Sequence, residues 1–110
     1  MERYLCNAFS LNMLPSDGAY VVRVRPVTRD EARTLAREAT SAVGHAETAA
    51  VFGDALGLPV AHARATLRLG PGDELLVGQY EGPRLPEGAT SLGPGASIRW
   101  LLVSLGTDAR

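Results

Sequence analysis

The chain has 110 residues, 45% hydrophobic and 21% charged, which suits one globular domain and excludes a disordered segment. Its formal net charge of −1 supplies no overall basic field to gather long nucleic acid, and leaves open only a local pocket for a small anion. The single cysteine, Cys6, excludes an intrachain disulfide and a cysteine-built metal site, and its apolar neighbours mark it as a small buried residue.

Residues 4–9, Tyr-Leu-Cys-Asn-Ala-Phe, suit a short buried strand that stops before Pro15 and the Ser16-Asp17-Gly18 turn. Over residues 20–27, Tyr20, Val22 and Val24 alternate with Val21, Arg23 and Arg25, a β pattern in which Pro26 marks the strand's end or an edge position. Thr28 followed by Glu31 matches a capping box, so a helix is predicted to run to about Glu38, with Ala32, Leu35 and Ala36 as its apolar stripe. A second helix is predicted over residues 46–56, with Ala49, Ala50, Phe52 and Leu56 apolar and Gly57 as its stop.

Residues 63–69 alternate again and read as a half-buried strand. The turn Gly70-Pro71-Gly72-Asp73 would join it in a hairpin to a strand over 74–80. Residues 81–95, rich in Gly and Pro, read as a long loop, and 97–105 as a last apolar strand. The fold class expected is therefore α/β in the α+β sense: a single mixed sheet of about five strands with helices packed on it, in one domain. No segment has the character of a signal peptide, and no apolar run nears the roughly 20 residues of a membrane span. The expected compartment is the cytoplasm.

Few residues offer chemistry. Gly44-His45 precedes the second helix, whose first turn presents free N–H groups to an anion, and a histidine there can give or take a proton; a plain capping histidine fits equally. Asn7 and Ser10 lie at the end of the first strand, where clefts of α/β sheets open, although both residue types also serve ordinary turns. Arg84 and Glu87 fall in the Gly/Pro-rich loop. A guanidinium clamps phosphate bidentately and a carboxylate orients a water or hydroxyl, but a solvated loop carries such charges too. His62 is read as structural. Every basic residue is Arg, which either reflects a GC-rich genome or serves bidentate phosphate contacts. Motifs for a P-loop, a dinucleotide fold, a zinc site or a serine triad are absent.

Taken in order, these segments resemble one known family. Residues 4–14, from Tyr4-Leu5-Cys6-Asn7 through Ser10 to Leu14, resemble the opening of the type III anti-CRISPR ring nucleases, small viral and prokaryotic proteins. Val43-Gly44-His45 followed by Thr48 is similar to that family's Gly-His helix start. Residues 79–88, carrying Gln79, Arg84, Glu87 and Gly88, are similar to its substrate-covering loop. The resemblance implies a homodimer that binds cyclic tetra-adenylate and cuts it, without metal or other cofactor, into linear di-adenylates with cyclic phosphate ends, which switches off type III CRISPR signalling.

Carried over residue by residue, His45 would be the general acid and Glu87 its catalytic companion, orienting reacting groups. Arg84 would hold the scissile phosphate, and Asn7, Ser10, Thr48 and Gln79 would line the pocket. The sequence departs from the family in two places: Glu47, where polar residues usually follow the His, and the longer loop, with Gly82-Pro83 inserted. Two other readings remain, a cyclic-oligonucleotide sponge or sensor with little catalysis, and an interaction protein whose motif residues only pack and cap.

Overall fold

The computed structural model describes residues 1–107. Five strands form one mixed sheet in the order β2-β5-β4-β1-β3: β1 (Arg3–Cys6), β2 (Tyr20–Val27), β3 (Thr40–Ser41), β4 (Glu74–Glu81) and β5 (Ser97–Thr107). Two helices, α1 (Arg29–Ala36) and α2 (Ala46–Leu56), and a 3-10 turn (Leu11–Met13) complete the elements. β1 runs parallel to both β3 and β4, whereas β5 is antiparallel to β4 and β2. The expected architecture of one mixed sheet with packed helices is what forms.

Both faces of the sheet are covered. On one, α1 and α2 bury Ala32, Ala49, Phe52 and Leu56 against Leu5, Leu76 and Trp100. On the other, Leu67, Leu69, Phe9 and Leu14 from irregular segments and Met13 from the 3-10 turn pack on Cys6, Leu75, Val77, Val103 and Leu105. This double covering explains why Leu75, Leu76, Val77 and Gly78 are buried in succession instead of alternating. Cys6 is buried, as its apolar setting suggests.

Local chemistry sets the element ends. The hydroxyl of Thr28 accepts from the Glu31 N–H at 3.1 Å, which starts α1. The capping box is only half formed, because the Glu31 carboxylate turns to Arg25 (2.7 Å) instead of back to Thr28. α1 ends at Ala36, short of Glu38, where its last turn tightens: the N–H of Glu38 donates to Leu35 O and that of Ala39 to Ala36 O, both at 3.2 Å. α2 matches its predicted bounds and stops at the left-handed Gly57. Its inward face uses Val51 where the sequence suggested Ala50, which is exposed.

Two expectations are corrected. The first strand ends at Cys6 rather than Phe9, because its ladder with β4 closes at Cys6 opposite Val77 and Ser10 then caps the 3-10 turn. Residues 63–69 form no strand. β4, their supposed hairpin partner, has β1 on one side and β5 on the other, so no edge is left for them. Their alternation is met by packing: Leu67 and Leu69 are buried under the sheet, while Ala65 faces solvent. β3 was missed because a two-residue strand carries no periodicity to read. Pro26 sits in β2 at the sheet's edge, where a missing N–H breaks no ladder.

Gly78 is the tightest point of the core. The rings of Phe52 and Trp100 meet edge-on above it, with centroids 5.1 Å apart. A Cβ at Gly78 would stand 2.5 Å from Phe52 and 2.7 Å from Trp100. Gly78→Ala should therefore cost about 3 kcal/mol, the upper range of overpacking, visible as a lowered Tm. An unchanged Tm would mean that the two rings move aside freely.

Candidate functional site

Because β1, β3 and β4 are parallel, their carboxyl ends share one end of the sheet. Asn7 follows β1, Gln79 and Tyr80 close β4, and the segment after β3 turns at Gly44-His45 into α2. Open α/β sheets bind ligands at such strand ends, where a helix N-terminus adds free N–H groups. His45 is the N-cap residue of α2 and exposed, and its side chain makes no capping bond, so the imidazole is free for other partners.

The approach to His45 is fixed by its neighbours. Val43 is fully buried, and its carbonyl accepts from the Ala63 N–H at 2.9 Å. A ring nitrogen of His62 lies 3.1 Å from the Gly44 carbonyl. His62, read from sequence as structural, thus helps hold the turn that presents His45.

A cleft of about 1100 Å³ opens at this end of the sheet. It brings together Asn7, His45, Thr48, Gln79, Arg84 and Glu87, from three separate stretches of chain. Ser10 is not among its lining residues; its hydroxyl instead accepts from the Asn12 N–H at 3.2 Å. In this structure the Ser10 hydroxyl caps the 3-10 turn. Tyr80 and Leu85 line the cleft although neither was singled out. The Tyr80 hydroxyl donates to the Pro83 carbonyl and so anchors the root of the loop. An aromatic residue at a strand end signals core more often than cleft, which is why it passed unnoticed.

Loop 82–96 connects β4 to β5 and forms one wall. It turns at residues 86–89, where the Ala89 N–H donates to the Pro86 carbonyl at 3.1 Å and Gly88 takes a φ of +76°, a region that favours glycine. Arg84 and Glu87 are exposed on this loop.

Glu47 faces the loop from α2. Its carboxylate accepts from the Gly88 N–H at 3.3 Å. Its own backbone N–H, then that of Gly88, hold the carboxyl below its ordinary value of 4.5, and the nearby charges of His45 and His62 add to the effect. Glu47, one of the two departures from the resemblance, is thus tied up in hydrogen bonds. Among the described residues, no three His, Cys, Asp or Glu side chains are grouped to hold a metal ion, and no helix is long and apolar enough to cross a membrane.

The family model described as STIV B116-like matches residues 3–93, which contain all the strand-end segments and the cleft wall just described. The chain belongs to the STIV B116-like family. Among solved structures, B116 of Sulfolobus turreted icosahedral virus is similar to it, with a TM-score of 0.79 over 94% of this chain and 99% of that one. The two are 21% identical, a level at which the likeness is one of fold. No curated protein matches this STIV B116-like chain.

The Glu47 carboxyl gives a pH signature. Its bond to Gly88 is fully present above pH 4.5 and is lost as the pH falls through the lowered value. In an NMR titration the Gly88 amide proton should shift with a midpoint below 4.5, and Glu47→Gln should flatten that titration. A midpoint at or above 4.5 would mean that the bond does not persist in solution.

Proposed function

We propose that this STIV B116-like protein is a metal-independent ring nuclease that cleaves cyclic tetra-adenylate to linear di-adenylates and so quenches type III CRISPR signalling. One observation carries the reading. Six residues nominated by the resemblance, Asn7, His45, Thr48, Gln79, Arg84 and Glu87, line a single cleft although they come from three distant stretches of chain. The volume of about 1100 Å³ lies just above the range for small-molecule sites, roughly 300–1,000 Å³, and suits an oligonucleotide better than a single nucleotide.

The reaction needs little from the protein beyond geometry and one acid. The 2′-hydroxyl oxygen of one nucleotide attacks its own 3′-phosphorus in line with the departing 5′ oxygen. The O2′–P bond forms and the P–O5′ bond breaks, which leaves a 2′,3′-cyclic phosphate. His45 protonates the leaving 5′ oxygen, and the proton of the 2′-hydroxyl passes to water in the open cleft. Arg84 pairs with the phosphate oxygens as charge builds, and Glu87 orients the attacking hydroxyl. Asn7, Thr48 and Gln79 hold the ring in place, and alignment of this kind supplies much of an enzyme's advantage. The ring of four units accommodates a two-fold axis. A C₂ homodimer would set one cleft on each side of it and give two opposite cuts.

Labelled cyclic tetra-adenylate, incubated with the purified protein in excess EDTA, tests the proposal. The wild type should yield linear di-adenylates. His45→Ala should cut about 10²–10⁴-fold more slowly, the range for loss of a general acid, yet still bind the ring. Arg84→Ala should weaken binding and lower the rate about 10²-fold; an unchanged rate would remove Arg84 from the site. A tight complex without products would make the protein a sponge or sensor, and neither products nor complex would overturn the reading altogether.

A further inference from the structure

Loop 82–96 carries Arg84 and Glu87 and so has to be held in register with α2 if these side chains are to meet His45 on one substrate. The loop is fastened at its root, where the Tyr80 hydroxyl donates to the Pro83 carbonyl, and its turn is closed by the Ala89-to-Pro86 bond. Both of these contacts stay within the loop or its own strand. The contact that crosses to α2 is the Gly88 N–H donating to the Glu47 carboxylate, between residues 41 apart in sequence.

We infer that Glu47 is a positioning residue of the site, clasping the turn of loop 82–96 against the first turn of α2 so that Arg84 and Glu87 stand across the cleft from His45. The inference rests on the proposed ring cleavage only for its catalytic consequence; the clasp itself does not. Three features make Glu47 suited to the task. It lies in the first turn of α2, where a carboxylate is stabilised by the helix dipole. It lines the same cleft as the residues it would hold. Its partner is a backbone N–H at a left-handed glycine, so the bond fixes the backbone of the turn rather than one rotamer.

The clasp also carries a cost. A carboxylate in the cleft repels a polyanionic ligand, so the same residue should assist the chemical step while weakening binding. A glutamine there keeps an acceptor oxygen for Gly88 and removes the charge, whereas an alanine removes both. The two variants therefore separate clasp from charge.

The loop contains an Arg84–Leu85 bond open to trypsin, which reports loop opening without any substrate. Glu47→Ala should raise the initial rate of cleavage after Arg84 about fivefold, as expected for one lost hydrogen bond of ordinary net strength, while cleavage at the other arginines stays as in the wild type. Glu47→Gln should stay near the wild-type rate. With cyclic tetra-adenylate, Glu47→Ala should lower kcat, and Glu47→Gln should keep kcat and lower KM. Equal cleavage after Arg84 in Glu47→Ala and wild type would overturn the clasp. Faster loop cleavage with an unchanged kcat would overturn the positioning role. If the wild type did not cut the ring while Glu47→Ala still opened the loop, ring cleavage would fail and the clasp would stand.

Discussion

Helix α2 is seated by two aromatic rings meeting over a glycine. Phe52 projects from α2, Trp100 from β5, and Gly78 of β4 leaves the space they occupy. An edge-to-face pair of this kind gains more than its buried area alone, and the steric limit is strict, because a single methyl at Gly78 would collide with both rings. The distance between α2 and the sheet is set there. With it goes the position of the N-terminus of α2, hence of Glu47 and His45, about one and a half and two turns upstream on the same rigid rod. The site depends on this packing although none of the three residues enters the cleft.

Parallel pairing does the rest. With β1, β3 and β4 aligned, Asn7, the Gly44-His45 turn and Gln79 emerge side by side. The ladder between β1 and β4 is reinforced at its far end by Arg3, whose guanidinium meets Glu74 at 2.7 Å and Glu38 at 3.5 Å. The sheet is thus stiff where it is ionic and apolar, and open where the chain leaves it. A scaffold of that kind lets a few exposed polar side chains be placed accurately.

Much of this was legible in the amino-acid order. The Thr28 cap, the Gly57 stop and the alternation of β2 each rest on a local rule, and the corresponding elements appear at or close to their expected bounds. What could not be read depends on partners distant in sequence. Residues 63–69 have the period of a strand, but whether they pair is decided by β1 and β5 having already taken both edges of β4. Within the site, Asn7, His45, Thr48, Gln79, Arg84 and Glu87 were nominated by resemblance and converge. Ser10 stands beside the cleft lining, where its hydroxyl serves a cap. The role of Glu47 could not be inferred at all, since its partner is a backbone N–H that carries no mark in the sequence.

The free margin of the sheet has its own consequence. β2 is one of the two outermost strands, and along it Arg23, Arg25 and Pro26 follow one another at close intervals. Two copies laid margin to margin would crowd like charges and lose a donor at each proline, which are the features that keep strands from adding to one another end over end. The strand is thereby protected against runaway sheet extension even though Val24 on it is 54% exposed.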